Sequence, residues 1–301
     1  MRVLVTGASG FVGGAVVAAA LAAGHEVVGL VRDPARAHRA AGADLRRGDM
    51  TEPATYVPLV REVDAVVHAA QKAVAGRLTR RRAEEIFAAD ALMTTELATA
   101  CRAGGRRLVY TGGCFDWGDH GEAWITEETP LTPSPMGVGH ARQARMLDAM
   151  TGLDVVRVSP GFVYGPGGLF AQAFVDQARA GRLRCIGRGG NWWSAVHVDD
   201  LAQAYLAALT TAPPRSAYAI ADDEPLRLRE LTDLTTDALG LPRSGTAPPA
   251  LISLFLGPVL VKSLVTSFRI DAGRARRELG WTPEHPRFRD AVAEVVAGTR
   301  P

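Results

Sequence analysis

Short, wholly apolar runs alternate with longer amphipathic stretches through the first half of the chain. Arg2–Thr6 (RVLVT), Glu26–Val31 (EVVGLV), Ala65–Ala70 (AVVHAA) and Arg107–Thr111 (RLVYT) lack the polar alternate positions of a half-exposed strand, so each reads as a strand buried on both faces. Between them Gly13–Ala23 and Glu84–Arg102 carry helical spacing, and Gly104 and Gly105 close the second. Strand, helix, strand in repetition requires parallel strands joined by crossovers, and therefore an α/β, Rossmann-type doubly wound sheet. Asp154–Ser159 (DVVRVS) adds a further strand. Beyond Gly165 the stretches YGPGG, GRGGNWW and LPRSGTAPP interrupt shorter elements, as in a lobe built partly from loops. The predicted organisation is a dinucleotide-binding unit, residues 1–165 with 194–221 returning to it, and a smaller substrate lobe, residues 166–193 and 222–301.

Composition narrows the class without changing this picture. A chain of 301 residues, 47% hydrophobic and 22% charged, can bury a substantial core. Net charge is +2, Lys72 and Lys262 are the only lysines, and the basic cluster Arg77–Arg82 is short and next to Glu84 and Glu85, so no nucleic-acid partner is expected. Cys101, Cys114 and Cys185 are odd in number and lack ligand spacing, which argues against a disulfide framework or a metal site and favours a reducing cytoplasm. No export signal is read at the N-terminus, where glycines break the apolar run. The most apolar segment, Ala250–Phe268, is interrupted by Gly257, Pro258 and Lys262; it reads as a buried helix or an apolar pocket wall, with no membrane partner.

The first strand leads into VLVTGASGFVGG, which places Gly7, Gly10 and Gly13 at three-residue intervals where a helix opens. Glycines permit the tight turn and the close approach of backbone to a pyrophosphate, and the free N–H groups of the helix start attract its charge. The second strand ends GLVRDP, with Val31 where an NAD site carries a carboxylate and Arg32 beside it. This favours NADP(H) over NAD(H), Arg32 meeting the 2′-phosphate, with Asp33 the dissenting neighbour.

With these features the chain resembles the extended short-chain dehydrogenases/reductases, the NAD-dependent epimerase/dehydratase branch, over almost its whole length. The resemblance rests also on RGDMTEP, VVHAA, RLVYTGG, RVSPGFVYGPGG, WWSAVHVDDLAQAYLAAL and RIDAGRARRELGWTP. It implies that Ser9, Gly10, Phe11 and Val12 lie at the pyrophosphate, and Asp49 and Met50 near the adenine. Ala69, Ala70 and Gln71 would run along the ribose and pyrophosphate, and Thr111, Pro160 and Val163 would sit near the nicotinamide. Family members commonly form homodimers, here through the Glu84 and Arg142 regions.

The same resemblance implies a Ser-Tyr-Lys proton relay, and here the sequence departs from it. In SPMGVGHARQARML, Met136 falls at the Tyr position and His140 at the Lys position; Gly113 takes the Ser/Thr position and Asp90 the upstream Asn position. No Tyr lies between Tyr110 and Tyr164 and no Lys between Lys72 and Lys262, so no shift in register restores the pair. A thioether cannot transfer a proton. The candidates left are His140, which titrates near neutrality and could donate a proton or hold a ribose, and Cys114, for which a small buried hydrophobe is the alternative reading. Asp116, Asp119 and His120 read as solvated loop residues, and Asp199 as a helix cap. Gly113, Met136, Tyr164, Trp192 and Trp193 are expected to wall a pocket for a hydrophobic small molecule, the two tryptophans lining it or packing under it. The expected function is an atypical NADP(H)-dependent oxidoreductase on a ketone or alcohol. The alternatives are a non-redox dehydratase, isomerase or cyclase on the same fold, and a nucleotide-sensing protein.

Overall fold

The computed structural model describes residues 1–72 and 76–299. Seven parallel strands form the central sheet: β1 (Arg2–Thr6), β2 (Glu26–Val31), β3 (Asp44–Arg47), β4 (Ala65–His68), β5 (Arg107–Thr111), β6 (Val155–Pro160) and β7 (Ser216–Ile220). Their spatial order is β7-β6-β5-β4-β1-β2-β3, so the winding reverses between β1 and β4. In open sheets of this kind ligands bind in the crevice outside the carboxyl ends of the strands at such a reversal, which directs attention to the loops after β1 and β4.

The all-apolar strands are explained by helices on both faces. Alternate side chains of β1 enter opposite cores: Val3 and Val5 meet α1 (Phe11–Ala22) and α4 (Val198–Thr210), while Leu4 faces α2 (Arg80–Gly104) and α3 (Val138–Ala149). Thr79 caps α2 through Arg82 N–H at 3.3 Å, and Gly105, at φ 61°, ends it. α2 thus begins four residues before the Glu84 start read from the sequence, because its cap lies among arginines that hide the apolar spacing.

A third core is aromatic: Phe162, Phe170, Phe174, Trp193, Phe268 and Phe288 pack together, with Leu228 and Leu231 of α5 (Leu228–Ala238) and with Cys114, Trp117 and Ile125 contributed from the segment after β5. Asp200 ties the 284–285 segment to α4. Its buried carboxylate accepts from the N–H groups of Glu284 at 2.7 Å and His285 at 2.9 Å.

Ala250–Phe268 does not form one buried helix. It splits at Gly257 (φ 90°) into α6 (Pro249–Leu256) and α7 (Pro258–Leu264), because Gly257 is pressed against the Leu78 backbone and leaves no room for a side chain. α7 buries Val259 and Val261, whereas α6 buries nothing and exposes Leu251, Leu254 and Phe255. Among the described residues no helix is long and apolar enough to cross a membrane.

Candidate functional site

At the crevice the β1 and β4 loops touch. Gly7 sits at φ 68°, and a Cβ there would lie 2.8 Å from the Ala70 Cα, while a Cβ on Gly13 would strike the Gly7 carbonyl. The turn is closed by Gly10 N–H donating to the Gly7 carbonyl at 2.8 Å, and α1 starts with no side chain on its cap, so Ser9 and Gly10 present backbone to solvent. An uncapped N-terminus on a glycine-cleared turn fits a pyrophosphate. Thr6 pins the second loop, its Oγ1 accepting from Ala70 N–H at 3.1 Å. Phe11 and Val12 are half-buried in the first turn of α1, and the Phe11 ring packs toward Gly165 and Gly168.

Further along the crevice, Arg32 is exposed at the end of β2. Asp33 is occupied, its carboxylate capping the following turn through Ala35 N–H at 3.1 Å. Asp49 accepts from Thr51 N–H at 2.8 Å and from the Thr51 hydroxyl at 2.6 Å. These bonds hold its carboxyl below the usual range, with Arg32 and Lys72 adding their charge. The local turn therefore engages Asp49, and Met50 packs half-buried in the core beneath. Thr111 is not a free hydroxyl: it bonds the His68 carbonyl at 2.8 Å and the Tyr205 phenol at 2.6 Å. Pro160 is buried at the end of β6, and Val163 is half-buried on the adjoining strand.

The end of β5 gathers the polar chemistry. His140, on the first turn of α3, has Nε2 2.8 Å from Gln71 Nε2 and Nδ1 3.6 Å from Asp116 Oδ1. With the amide donating to Nε2, the proton of a neutral ring belongs on Nδ1, facing Asp116. Asp116 is buried; its Oδ2 accepts from Gly113 N–H at 3.0 Å, and its Oδ1 has no hydrogen-bond partner among the described residues. Asp90, buried on α2, lies close enough to act on the same ring and accepts from Lys72 N–H at 3.4 Å. Burial alone would lower the His140 pKa, but contact with Asp116 and the charges of Asp116 and Asp90 together raise it above 6.5.

Beneath them His68 spans the sheet, Nδ1 2.9 Å from Thr6 Oγ1 and Nε2 3.1 Å from Thr94 Oγ1. Burial first, and then the His140 charge, lower its pKa to about 3. It is a neutral spacer at physiological pH.

The structure brings Gly113, Met136 and His140 together. A Cβ on Gly113 would be 3.3 Å from His140 Nδ1. Met136 packs with Leu78, Phe87, Val259 and Leu260, and its N–H donates to Ser263 Oγ at 3.0 Å, so α7 walls the site on that side. Cys114 lies in the aromatic core, where burial and then Asp116 push its thiol well up and keep it protonated. One expected pocket residue is corrected: Tyr164 is fully enclosed by Phe170, Phe288 and His197. Trp193 is buried between Phe162 and Phe268, which is the packed one of the two placements open to it, and both support the aromatic core from inside. Trp192 faces outward, donating to Glu122 at 2.7 Å with the Arg227 guanidinium 3.7 Å from its ring centre. Asp116 was expected to be solvated and is instead buried, while Asp119 is exposed and accepts from Ser267 N–H at 3.1 Å. Asp199 does not cap α4; His197 does, through Asp199 N–H at 3.4 Å, because the helix begins two residues earlier than a cap at Asp199 would set it.

His197, Asp200 and His285 also converge within 4.8 Å, but Asp200 spends its oxygens on the Glu284 and His285 N–H groups, so its carboxylate acts as a clamp on that turn, with the His197 ring packed against the His285 ring.

The sequence profile of the NAD dependent epimerase/dehydratase family matches residues 3–221, which span the glycine cradle, the β4 loop and the His140 cluster. The chain belongs to that family. Among characterised members, 3-diazoavenalumate denitrifying reductase of Streptomyces sp is 33% identical, with 97% of this chain and 99% of that protein covered. A 2-alkyl-3-oxoalkanoate reductase of Stenotrophomonas maltophilia is 28% identical, covering 94% of this chain and 95% of its own. Among solved structures, a dTDP-glucose 4,6-dehydratase of Streptomyces venezuelae with NAD and TYD bound superposes with a TM-score of 0.83 at 26% identity, covering 99% of this chain and 96% of that one. The family is nicotinamide-dinucleotide dependent, and at Gly7 the turn after β1 lies too close to the Ala70 backbone to admit a side chain.

Proposed function

We propose that this family member is an NADP(H)-dependent reductase of a hydrophobic carbonyl compound, working without the Tyr-Lys pair. The observation that carries the reading is His140, whose helix position corresponds to the missing Lys and whose ring bridges the cofactor loop at Gln71 and the acidic turn at Asp116. The bound cofactor supplies the hydride. The chain positions the carbonyl beside the apolar wall of Met136 and α7, and His140 Nε2–H, once the ring is charged and the Gln71 amide has turned away from Nε2, protonates the developing alkoxide. The ring ends neutral and regains its proton from solvent through its exposed edge. Cys114 takes no part in this scheme.

Arg32 supports the choice of NADP(H), since Asp33 beside it is tied into its own turn and does not oppose a 2′-phosphate directly. NADPH should bind at least tenfold more tightly than NADH, and Arg32→Ala should erase the difference; an unchanged ratio would refute the assignment. A second copy would dock on the outer faces of α2 and α3, where Arg142 meets Glu84 at 3.5 Å and Leu92 is exposed. Neither nucleic acid nor membrane is needed by this reading, which fits a cytoplasmic enzyme.

A second reading is favoured by the absence of a phenol together with the 33% identical diazo-compound reductase. Hydride addition to the terminal nitrogen of an aryl diazonium gives a neutral diazene, which loses N2 and leaves the hydrogen on carbon. That sequence consumes no proton. The deciding experiment supplies a 3-oxoacyl ketone and an aryl diazonium separately with NADPH and follows nicotinamide absorbance and product mass. His140→Gln should abolish ketone reduction and spare the diazonium reaction. Product without cofactor consumption in both cases would replace either reading with non-redox chemistry, and no turnover with tight NADPH binding would favour a sensor.

A further inference from the structure

We infer that Asp116 is the positioning residue of this site, holding the proton of His140 on Nδ1 so that Nε2 is the atom that faces substrate. The inference rests on the proposed role of His140 but draws on different observations.

The first is a buried carboxylate with an unmet oxygen. Asp116 Oδ2 is fixed by Gly113 N–H, while Oδ1 has no hydrogen-bond partner among the described residues and lies 3.6 Å from His140 Nδ1. Leaving a buried acceptor unpaired is unfavourable; an Nδ1–H directed at Oδ1 lowers that cost in the neutral ring, and the positive charge of the protonated ring strengthens the same contact. Contacts of this kind are often long before substrate arrives and close on charging.

The second is the space made for the pair. A Cβ on Gly112 would come 2.5 Å from Ser159 Oγ and 3.0 Å from Asp116 Oδ2, and one on Gly113 would crowd the imidazole at 3.3 Å. Gly137 lies against the Phe115 carbonyl, which leaves the turn bearing Asp116 pressed onto the start of α3. Three glycines are therefore needed for the carboxylate and the ring to meet.

The groups facing the ring come from every neighbouring element. Asp116 lies on the 114–116 turn, Asp90 on α2, His68 on β4 and Tyr110 on β5, the last with its ring centre 6.4 Å away. Lys72 stands near Asp90, and Arg142 on α3 itself turns outward to Glu84. Two buried carboxylates against one imidazole favour its charged form. In the reducing step the Nε2 proton passes to the substrate oxygen and the electron pair of the N–H bond stays on the ring. The Nδ1 proton remains directed at Asp116.

The test needs neither substrate nor cofactor. The 15N shifts of His140, assigned by difference with His140→Gln, should report an Nδ1–H tautomer at high pH and a titration above 6.5. In Asp116→Asn that midpoint should fall by at least one pH unit, a tenfold loss of the charged form at a given pH, and Asp116→Glu should recover part of it. A folded Asp116→Asn protein whose His140 titrates as in the wild type would overturn the inference. Should Asp116→Asn fail to fold, the wild-type tautomer decides, because an Nε2–H form would overturn it equally. If the titration shifts as stated while His140→Gln still reduces ketones, the pair stands and the proposed reductase mechanism falls.

Discussion

Gly7→Ala tests whether the crevice between β1 and β4 is the dinucleotide site. Gly7 occupies φ 68°, where an L-residue costs roughly 1–2 kcal/mol, and its new Cβ would sit 2.8 Å from the Ala70 Cα and 2.9 Å from the Ala70 nitrogen. Those neighbours are backbone atoms and cannot rotate away, so overpacking adds roughly 1–3 kcal/mol. The total is about 2–5 kcal/mol. With an unfolding entropy of about 2.1 cal/mol/K per residue, that corresponds to roughly 3–8 °C of melting temperature for a chain of this length. The β4 loop can relieve the clash only by moving away from the turn, which widens the cradle and takes N–H donors off the pyrophosphate. Losing one charge-assisted bond of about 1.5–3 kcal/mol weakens dinucleotide binding by roughly 10–150-fold. Calorimetric titration with NADPH, together with a thermal scan of the free protein, measures both effects. A variant that melts lower but binds NADPH within twofold of wild type would refute the placement of the cofactor, because stability would then depend on the loop contact and binding would not.

Two further outcomes follow from the same geometry. Asp200→Ala orphans the Glu284 and His285 N–H groups at once and should cost about 3–5 kcal/mol while leaving NADPH affinity unchanged, as measured by denaturant unfolding and titration; a loss under 1 kcal/mol would remove the clamp from the fold's essentials. His68 has a folded pKa of about 3 against an ordinary 6.5, so the unfolded chain takes up the proton first and stability should fall as pH drops from 6.5 toward 3, by up to roughly 1.4 kcal/mol per unit from this group, a slope that His68→Gln should flatten and whose persistence in that variant would assign it to other residues.

Much of the cofactor half is legible in the sequence because backbone requirements write themselves as residue types. The glycines at 7, 10 and 13 are forced by contacts within a few residues of chain, or with one loop that follows a recognisable strand. The His140 cluster is different. Asp116 is a short polar residue in a loop, and sequence spacing alone gives no reason to bury it. What buries it is the pressing of Gly137 against Phe115, and of Gly118 against the Thr132 carbonyl, which fold the 112–137 segment back on itself. Those two glycines were the available signal, and it shows only once the segment is seen as a closed loop. Hydrophobicity failed in the same way at 249–268: the apolar count cannot say that Gly257 must lie on Leu78, and so cannot say that α6 projects outward while α7 walls the site.

The departure from the Tyr-Lys pattern then becomes more than a list of losses. With a side chain on Gly113, the His140 ring would be crowded, and with one on Gly112, the Asp116 carboxylate would be displaced. The absent hydroxyl at 113 and the imidazole at 140 are thus two sides of one packing solution. Met136 belongs to it too, since a phenol at that position would have to share the wall formed by Leu78, Phe87 and Val259, and its oxygen would need a partner there. Restoring the Tyr alone would leave that hydroxyl in an apolar wall, without the Lys that lowers its pKa and with a histidine held by a buried carboxylate in place of it. The packing at positions 113, 136 and 140 therefore changes as a unit, or not at all.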